Sequence, residues 1–273
     1  MRDFGAMTAR RPLPLAELPE ARARAVLGIL TDIDDTLTTD GRLDARAAPA
    51  LEALRDAGLP VIAVTGRPQG WSEPFARDWP IAAIVAENGA VAIFRRQDKL
   101  IVEYAQDEAT RVAHAPRLRA AAARVLREVP QARLARDSAG RVTDIAIDHA
   151  EHARLDRAAI AKVVEIMRAE GLHATVSSIH VNGWFGEHDK LTGARWIVRR
   201  LLGRDLDAEV DRWIYVGDST NDQRMFAHFE LSVGVANLLQ FADELEVWPR
   251  YLAAGERGAG FAEVARCVLE ARR

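Results

Sequence analysis

The sequence predicts an α/β protein: a doubly wound parallel sheet interrupted by an inserted α+β module. Short apolar runs alternate with amphipathic runs in both outer parts of the chain, which is the pattern of βα units around a parallel sheet. The middle behaves differently, because "RVTDIAIDHA" alternates apolar and polar residues like a half-solvated antiparallel strand. We therefore predict a core from residues 1–91 and 187–273, with a polar leader over 1–25, and an insert over 92–186.

The elements before the insert follow in order. "VLGIL", "PVIAVTG" and "IAAIVAENG" are strand-like. Residues 43–57 predict a helix, with Asp44 as a plausible N-cap and Gly58 just past the end. A second helix is predicted around Trp71 and Phe75.

The insert and the second core part follow the same reasoning. "AVAIFRRQDKLIVEY" reads as two strands joined by a turn, followed by a helix to about residue 128, and "HATVSSIHVNGWF" as one strand after a helix around 153–170. From Lys190 the βα rhythm resumes: a helix, the strand "WIYVG", a helix after Asp218, the strand "LSVGV" and a last helix from Ala259.

Composition excludes some classes of partner. The 273 residues carry a formal net charge of -3, so no global field would hold nucleic acid or an anionic membrane. No apolar run reaches the ~18 residues that span a bilayer. The leader has no continuous apolar stretch, and the single cysteine, Cys267, suits a reducing compartment. We expect a cytoplasmic protein.

Polar residues follow four of the predicted strands. The carboxyl ends of parallel strands meet at one edge of a sheet, where loops and helix N-termini form ligand sites. We therefore expect these groups to face one another if the strands are neighbours. They are Asp32, Asp34 and Thr36; Thr65, Gly66 and Arg67; Glu87, Asn88 and Gly89; and "GDSTND" at 217–222.

The acidic residues of these loops predict a metal site. Clustering Asp32, Asp34, Asp218 and Asp222 without a counter-ion would raise at least one carboxylate pKa and cost stability. Oxygen ligands of this kind suit Mg²⁺, which takes a few carboxylates together with water and phosphate oxygens.

The same residues suggest how phosphoryl transfer would be divided between side chains. The first aspartate of a strand-end "DxD", Asp32, can attack phosphorus, and the second, Asp34, can protonate the leaving oxygen and later deprotonate water. Thr65 and Lys190 can supply a hydroxyl and an ammonium to the phosphoryl oxygens. Lys190 is informative because only Lys99 and Lys162 accompany it in an arginine-rich chain.

These motifs match a known family. "DIDDT", "VTGR", "DK" before an amphipathic helix and "GDSTND" occur in the order and spacing of the haloacid dehalogenase-like phosphatases. The resemblance covers nearly all of residues 27–270. The insert lies between the second and third motifs, with "ENGA" before it and "DKLTGA" after it. This arrangement resembles subfamily IIB, which has a C2-type cap. Sucrose-phosphate, mannosyl-3-phosphoglycerate and trehalose-phosphate phosphatases are similar proteins of that group.

The resemblance implies a Rossmann-like core and a mechanism. Asp32 would form an aspartyl-phosphate, Asp34 would be the general acid/base, and Thr65 and Lys190 would bind the phosphate. Mg²⁺ would bind Asp32, the backbone carbonyl of Asp34 and Asp218, with Asp222 or Asn221 nearby. The substrate would be a small phosphorylated metabolite, expected to be a sugar phosphate. The candidates for reading it are Gly66, Arg67 and Asn88 on the core and Ser178, His180 and Asn182 on the cap.

Some alternatives stay open at the level of sequence. Ser178, His180 and Asn182 alternate along one predicted strand, and an ordinary solvent-facing polar face is an equally good interpretation. A phosphomutase of the same superfamily would use the same core residues. A catalytically silent phosphosugar-binding protein is a further alternative, but it would have little reason to keep both Asp32 and Asp34. A receiver-like signalling module would also combine acidic residues, Thr and Lys. The receiver-like hypothesis predicts a chain about half as long, and is disfavoured.

Overall fold

The computed structural model describes residues 11–273, so the first ten residues of the predicted leader lie outside the described part. The strands are β1 (Leu13–Pro14), β2 (Gly28–Thr31), β3 (Thr38–Thr39), β4 (Arg42–Leu43), β5 (Val61–Val64), β6 (Ala83–Ala86), β7 (Val91–Arg96), β8 (Lys99–Tyr104), β9 (Arg133–Leu134), β10 (Asp144–Asp148), β11 (His173–Val176), β12 (His180–Trp184), β13 (Trp213–Gly217), β14 (Leu231–Gly234) and β15 (Tyr251–Leu252). The α-helices are α1 (Glu20–Arg24), α2 (Ala47–Asp56), α3 (Gln69–Asp78), α4 (Glu108–Glu128), α5 (Arg157–Ala169), α6 (Lys190–Leu202), α7 (Gln223–His228) and α8 (Arg257–Glu270). None of the helices within this described part is long and apolar enough to cross a bilayer.

The described residues divide into two compact units, one built from 11–64, 79–83 and 194–273 and the other from 65–78 and 84–193. Each unit is defined by the contacts that its own residues make with one another. The predicted division into a core over 1–91 and 187–273 and a cap over 92–186 stays a prediction.

The first unit contains a parallel sheet with the strand order β1-β15-β14-β13-β2-β5. Every pairing within this set is parallel. The strands β2, β5, β13 and β14 are buried along their whole length, as expected for a parallel sheet covered on both faces. The predicted α/β, Rossmann-like fold class is confirmed.

The second unit contains the strands β6, β7 and β8 and a separate antiparallel sheet with the order β11-β12-β10-β9. Helices α4 and α5 pack on the antiparallel sheet. Their apolar side chains share a core with the inner face of that sheet. Representative core residues are Leu118, Val125, Ile147, Val163, Met167 and Val181.

Two predicted elements differ from the structure. The stretch predicted as one strand over "HATVSSIHVNGWF" is a hairpin, because β11 and β12 pair antiparallel and Val176 lies opposite Val181. Ser178 lies in the turn, so it does not share a strand with His180. The predicted N-cap, Asp44, precedes a helix that begins at Ala47, and its carboxylate instead accepts hydrogen bonds from the Thr39 hydroxyl at 2.8 Å and the Arg46 N–H at 2.9 Å.

Candidate active site

Three carboxylates of the first unit lie together at the ends of its strands. Asp32, Asp218 and Asp222 each offer one oxygen, and these oxygens all lie within 4.8 Å of one another. Asp32 is 4% exposed, and Asp218 and Asp222 are fully buried. Three buried anions at this separation repel one another unless positive charge or donors compensate them.

The strand register explains why residues almost 190 positions apart meet. Strand β13 pairs in parallel with β2, and Val216 lies opposite Thr31. The N–H of Asp32 donates to the carbonyl of Val216 at 2.9 Å, so the ladder continues one residue past β2. Asp32 and Asp218 therefore leave the same edge of the sheet on adjacent strands, which is where ligand sites form in parallel sheets.

Asp222 holds the loop that carries Asp218. One of its carboxylate oxygens accepts the N–H groups of Asp218 at 2.9 Å and Ser219 at 3.2 Å, and the other accepts the Tyr215 hydroxyl at 2.5 Å. A Cβ on Gly217 would lie 2.4 Å from the Asp222 carboxylate, so only glycine fits there. Asn221, a predicted metal neighbour, is half-buried and its Oδ1 accepts the Ser219 hydroxyl at 3.0 Å.

The pKa of the neighbouring phenol, Tyr215, is affected by the negative charge of this cluster. Burial raises the pKa of Tyr215 well above its usual value, and the charges of Asp222, Asp32 and Asp218 raise it further. Tyr215 is therefore a neutral donor at physiological pH. Its ring stacks on Phe229, with 5.8 Å between the ring centroids.

The second aspartate of "DIDDT" follows Asp32 by two residues in the turn after β2. Asp34 is half-buried, and it is not one of the three grouped carboxylates. The next residue, Asp35, has a left-handed backbone with φ 53°. Its side chain pairs with the Arg257 guanidinium at 3.0 Å. The turn after β2 is thus tied to the start of α8.

In the second unit, the turn after β5 begins with Thr65, which is fully buried. The Thr65 hydroxyl accepts the N–H of Arg67 at 3.0 Å, and the Thr65 carbonyl accepts the N–H of Asn88 at 3.0 Å. These bonds hold the predicted phosphate-binding turn against the turn after β6. Glu87, Asn88 and Gly89 all have positive φ, which is a strained arrangement for the first two residues.

Arg67, a predicted substrate-binding residue, is engaged by carboxylates of the same unit. Its guanidinium is 4% exposed and lies 2.8 Å from Glu151 and 3.2 Å from Asp137. His180 Nε2 lies 3.0 Å from the other oxygen of Glu151. Burial alone would raise the pKa of Glu151, but the hydrogen bonds and positive charge of His180 and Arg67 outweigh it and lower that pKa to about 2.

Asn88 and Asn182 converge on one buried carboxylate. Asp144 accepts the side-chain amide of Asn182 at 3.1 Å and that of Asn88 at 3.4 Å, and it pairs with Arg141 at 2.9 Å. Burial raises the pKa of Asp144 to about 7, although Arg141 opposes the shift. A Cβ on Gly66 would lie 3.2 Å from Asn182 Oδ1, so this glycine permits the close approach.

Lys190 begins α6 and is 5% exposed. The preceding residue, Asp189, accepts the N–H of Thr192 at 2.7 Å, which is the hydrogen bond of an N-cap. A Cβ on Gly89 would lie only 2.0 Å from the Asp189 carbonyl oxygen. The "ENG" turn therefore packs directly against the "DK" motif.

The remaining predicted substrate-binding residue, Ser178, is half-buried in the β11–β12 turn.

Sequence reasoning missed several residues that organise these loops. Glu87 is fully buried and accepts the N–H groups of Gln69 and Val142 and both donors of Thr143. The motif "ENGA" marked its position but gave it no role. Arg141, Asp144, Tyr215 and Asn237 carried no motif. Arg141, Asp144 and Asn237 have partners in distant parts of the chain, whereas Tyr215 bonds to Asp222 in the loop that follows its own strand.

Comparison with known families gives these loops a context. Residues 29–115, which include the first two motifs, match the family model for haloacid dehalogenase-like hydrolases. This part of the chain is therefore similar to haloacid dehalogenase-like hydrolases. The family resemblance inferred from the motifs is thereby confirmed. No curated protein sequence matches the chain significantly.

Solved structures of other proteins share the fold. The sucrose-phosphatase from Synechocystis sp. PCC6803, in complex with sucrose and phosphate, is 16% identical with a TM-score of 0.63, covering 89% of this chain and 97% of that one. A haloacid dehalogenase-like hydrolase from Bacteroides thetaiotaomicron is 16% identical with a TM-score of 0.60, covering 88% and 98%. A trehalose-6-phosphate phosphatase related protein is 16% identical with a TM-score of 0.57, covering 89% and 96%. At this identity the similarity establishes the fold alone.

Proposed function

We propose that this haloacid dehalogenase-like protein is a Mg²⁺-dependent phosphomonoester hydrolase that acts on a small phosphorylated metabolite through an aspartyl-phosphate on Asp32. The observation that carries the proposal is the group of three buried carboxylates, Asp32, Asp218 and Asp222, whose oxygens lie within 4.8 Å of one another. Burying three carboxylates together costs folding free energy, and a purely structural role would not offset that cost. A hydrolase that acts on phosphate esters would use them for metal binding and phosphoryl transfer.

The donor set fits Mg²⁺. All of the grouped side chains offer oxygen, no sulfur or imidazole ligand is among them, and oxygen is what Mg²⁺ prefers. Asp32 and Asp218 would hold the ion together with the backbone carbonyl of Asp34. Asp222 orients the Asp218 loop through hydrogen bonds to two backbone N–H groups. The ion would offset the carboxylate repulsion and polarise the phosphoryl group.

Asp32 and Asp34 would share the covalent chemistry. A carboxylate oxygen of Asp32 attacks phosphorus, the bond from phosphorus to the leaving oxygen breaks, and Asp34 gives its proton to that oxygen. Asp34, now a carboxylate, takes a proton from water as the water oxygen attacks the aspartyl-phosphate. The bond from phosphorus to the Asp32 oxygen breaks, inorganic phosphate leaves, and Asp32 and Asp34 return to their starting protonation states.

The remaining predicted residues would bind substrate. Thr65 and Lys190 would contact the phosphoryl oxygens, where a hydroxyl and an ammonium stabilise charge. A sugar phosphate is the proposed substrate class, in keeping with the sucrose and phosphate bound to a protein of the same fold. Arg67, Asn88, Ser178, His180 and Asn182 stay candidates for reading its leaving group, and a cytoplasmic location stays a prediction.

The test is phosphate release across sugar phosphates, phosphoglycerates and nucleotides, with and without EDTA. We expect release from a sugar phosphate that EDTA stops and added Mg²⁺ restores. Asp32→Asn should abolish turnover because an amide is a poor nucleophile, whereas Asp98→Asn, at an exposed position, should leave it unchanged. Undiminished release by Asp32→Asn would reject the nucleophile, and a sugar phosphate that isomerises without releasing phosphate would indicate a mutase instead.

A further inference from the structure

The side chain of Asn237 makes hydrogen bonds that join three segments of the first unit. It lies in the short 3-10 segment Ala236–Phe241 that follows β14. Its side-chain amide donates to the Asp35 carbonyl at 3.0 Å and to a carboxylate oxygen of Asp218 at 3.4 Å. Its Oδ1 accepts the N–H of Arg257 at 2.8 Å. An asparagine amide has two donor hydrogens, so both donations occur together.

The contact with Asp218 is one half of a clamp. Asn237 donates to Asp218 Oδ2, and the Thr36 hydroxyl donates to Asp218 Oδ1 at 3.3 Å. A carboxylate oxygen has two lone pairs, so a hydrogen bond from Thr36 or Asn237 is compatible with cation binding by the same oxygen. Donors of this kind fix the rotation of a metal-binding carboxylate.

The contact with Asp35 stabilises a strained turn. Asp35 and Arg257 have φ values of 53° and 50°, a region that non-glycine residues seldom occupy. The Arg257 guanidinium pairs with the Asp35 carboxylate at 3.0 Å, and Asn237 bonds to the backbone of both residues. Asn237, Asp35 and Arg257 thus form a closed ring of contacts. Such strain persists only where the surroundings over-determine it.

We propose that Asn237 is a positioning residue that fixes Asp218 and the turn carrying Asp34 and Asp35 in the arrangement that binds Mg²⁺. The inference rests on the proposed function, because it assumes that Asp218 is a metal ligand. Removing a group that orients a metal ligand typically weakens metal binding or activity about 10- to 100-fold. Loss of the Asn237 amide should therefore weaken Mg²⁺ binding more than it weakens binding of the phosphorylated substrate.

The test measures Mg²⁺ affinity directly, by calorimetry on the full chain without substrate. Asn237→Ala removes the amide, and Asn237→Leu removes it while keeping a side chain of similar size. Both variants should bind Mg²⁺ at least about 10-fold more weakly than the parent protein. Gln240→Ala, at an exposed position of the same 3-10 segment, is the matched control and should bind normally. Thermal unfolding in EDTA confirms that each variant is folded.

A kinetic measurement separates positioning from a general loss of structure. For both Asn237 variants the Mg²⁺ concentration that half-activates the enzyme should rise at least about 10-fold, the substrate KM at saturating Mg²⁺ should stay near the parent value, and high Mg²⁺ should restore part of kcat. Normal Mg²⁺ affinity in both variants, with binding lost in Asp218→Ala, would overturn the role of Asn237 and leave the proposed function intact. Absence of Mg²⁺ binding by the parent protein would overturn both.

Discussion

The hydroxyl of Tyr215 donates a 2.5 Å hydrogen bond to Oδ1 of Asp222, and both residues are fully buried. The other oxygen of Asp222 accepts the backbone N–H groups of Asp218 and Ser219. A buried carboxylate is tolerated when charge-assisted hydrogen bonds of this kind surround it. The strand β13 therefore supplies, in Tyr215, a donor that holds the loop at its own carboxyl end.

Tyr215→Phe removes this donor and keeps the ring. We expect the free energy of unfolding to fall by about 1–3 kcal/mol, because Asp222 loses a hydrogen bond that no water replaces at a buried site. Urea unfolding checks the value. Tyr251→Phe, at another buried tyrosine of the same unit, is the control and should change stability less. Equal losses in the two variants would contradict the importance of the Tyr215 hydroxyl.

Mg²⁺ should stabilise the fold as well as support activity. A cation that binds only the native state raises the free energy of unfolding by RT ln(1 + [L]/Kd), and here it also relieves repulsion among Asp32, Asp218 and Asp222. We expect the Tm of the parent protein to rise with Mg²⁺ concentration, as measured by thermal unfolding after EDTA treatment. Asp218→Asn should abolish the rise, and a Tm that rises equally in this variant would rule out Asp218 as a ligand.

Glu87→Gln should destabilise the second unit. The Glu87 carboxylate accepts hydrogen bonds from Gln69, Val142 and Thr143, and the amide nitrogen of glutamine would instead place donors against donors. We expect a loss of roughly 2–3 kcal/mol in the free energy of unfolding, measured with urea. Glu108→Gln, at an exposed helix position of the same unit, should cost almost nothing. A loss as small for Glu87→Gln as for this control would mean that the charge of Glu87 is dispensable.

Glu151 should contribute a pH-dependent part of the stability. Its pKa falls from 4.5 to about 2 on folding, because His180 and Arg67 favour the carboxylate despite its burial. A lowered folded-state pKa gives stability that is present above about pH 4.5 and is lost as the pH falls towards 2. Between these values the unfolding free energy of the parent protein should therefore fall more steeply than that of Glu151→Gln.

The control for this pH dependence is Glu165→Gln, at an exposed position of α5. Urea unfolding at a series of pH values gives each slope. Glu165→Gln should follow the parent curve. Parallel curves for the parent protein and Glu151→Gln would mean that the pairs with Arg67 and His180 do not stabilise the carboxylate.

The loops at the strand ends could be predicted because their signals are local. Each apolar run that forms β2, β5, β6 or β13 is followed at once by its polar group, so the positions of Asp32, Thr65, Glu87 and Asp218 follow from the pattern of the run. The "HATVSSIHVNGWF" stretch had no comparable signal. Its hairpin turn at Ser177 and Ser178 contains no glycine or proline, and apolar residues continue on both sides of it.

The roles of the buried polar side chains could not be predicted in the same way. Glu87 reads as a turn residue in sequence, but its partners Val142 and Thr143 lie more than fifty positions away. The sequence around Asn237 does not indicate its role, which becomes evident only from its hydrogen bonds to Asp35, Asp218 and Arg257. A hydrogen bond depends on the distance and direction between donor and acceptor in space, and neither can be deduced from their separation in the sequence.

The sequence by itself determined the α/β class, the positions of the core strands β2, β5, β6 and β13 and the identity of the polar residues at their ends, because hydrophobic period and strand-end polarity are properties of neighbouring residues. Only the tertiary structure decided which of those carboxylates meet. The pairing of β13 with β2 brings Asp218 beside Asp32, and the bonds from Tyr215 and the backbone fix Asp222, because parallel strands distant in sequence become neighbours only when the sheet forms.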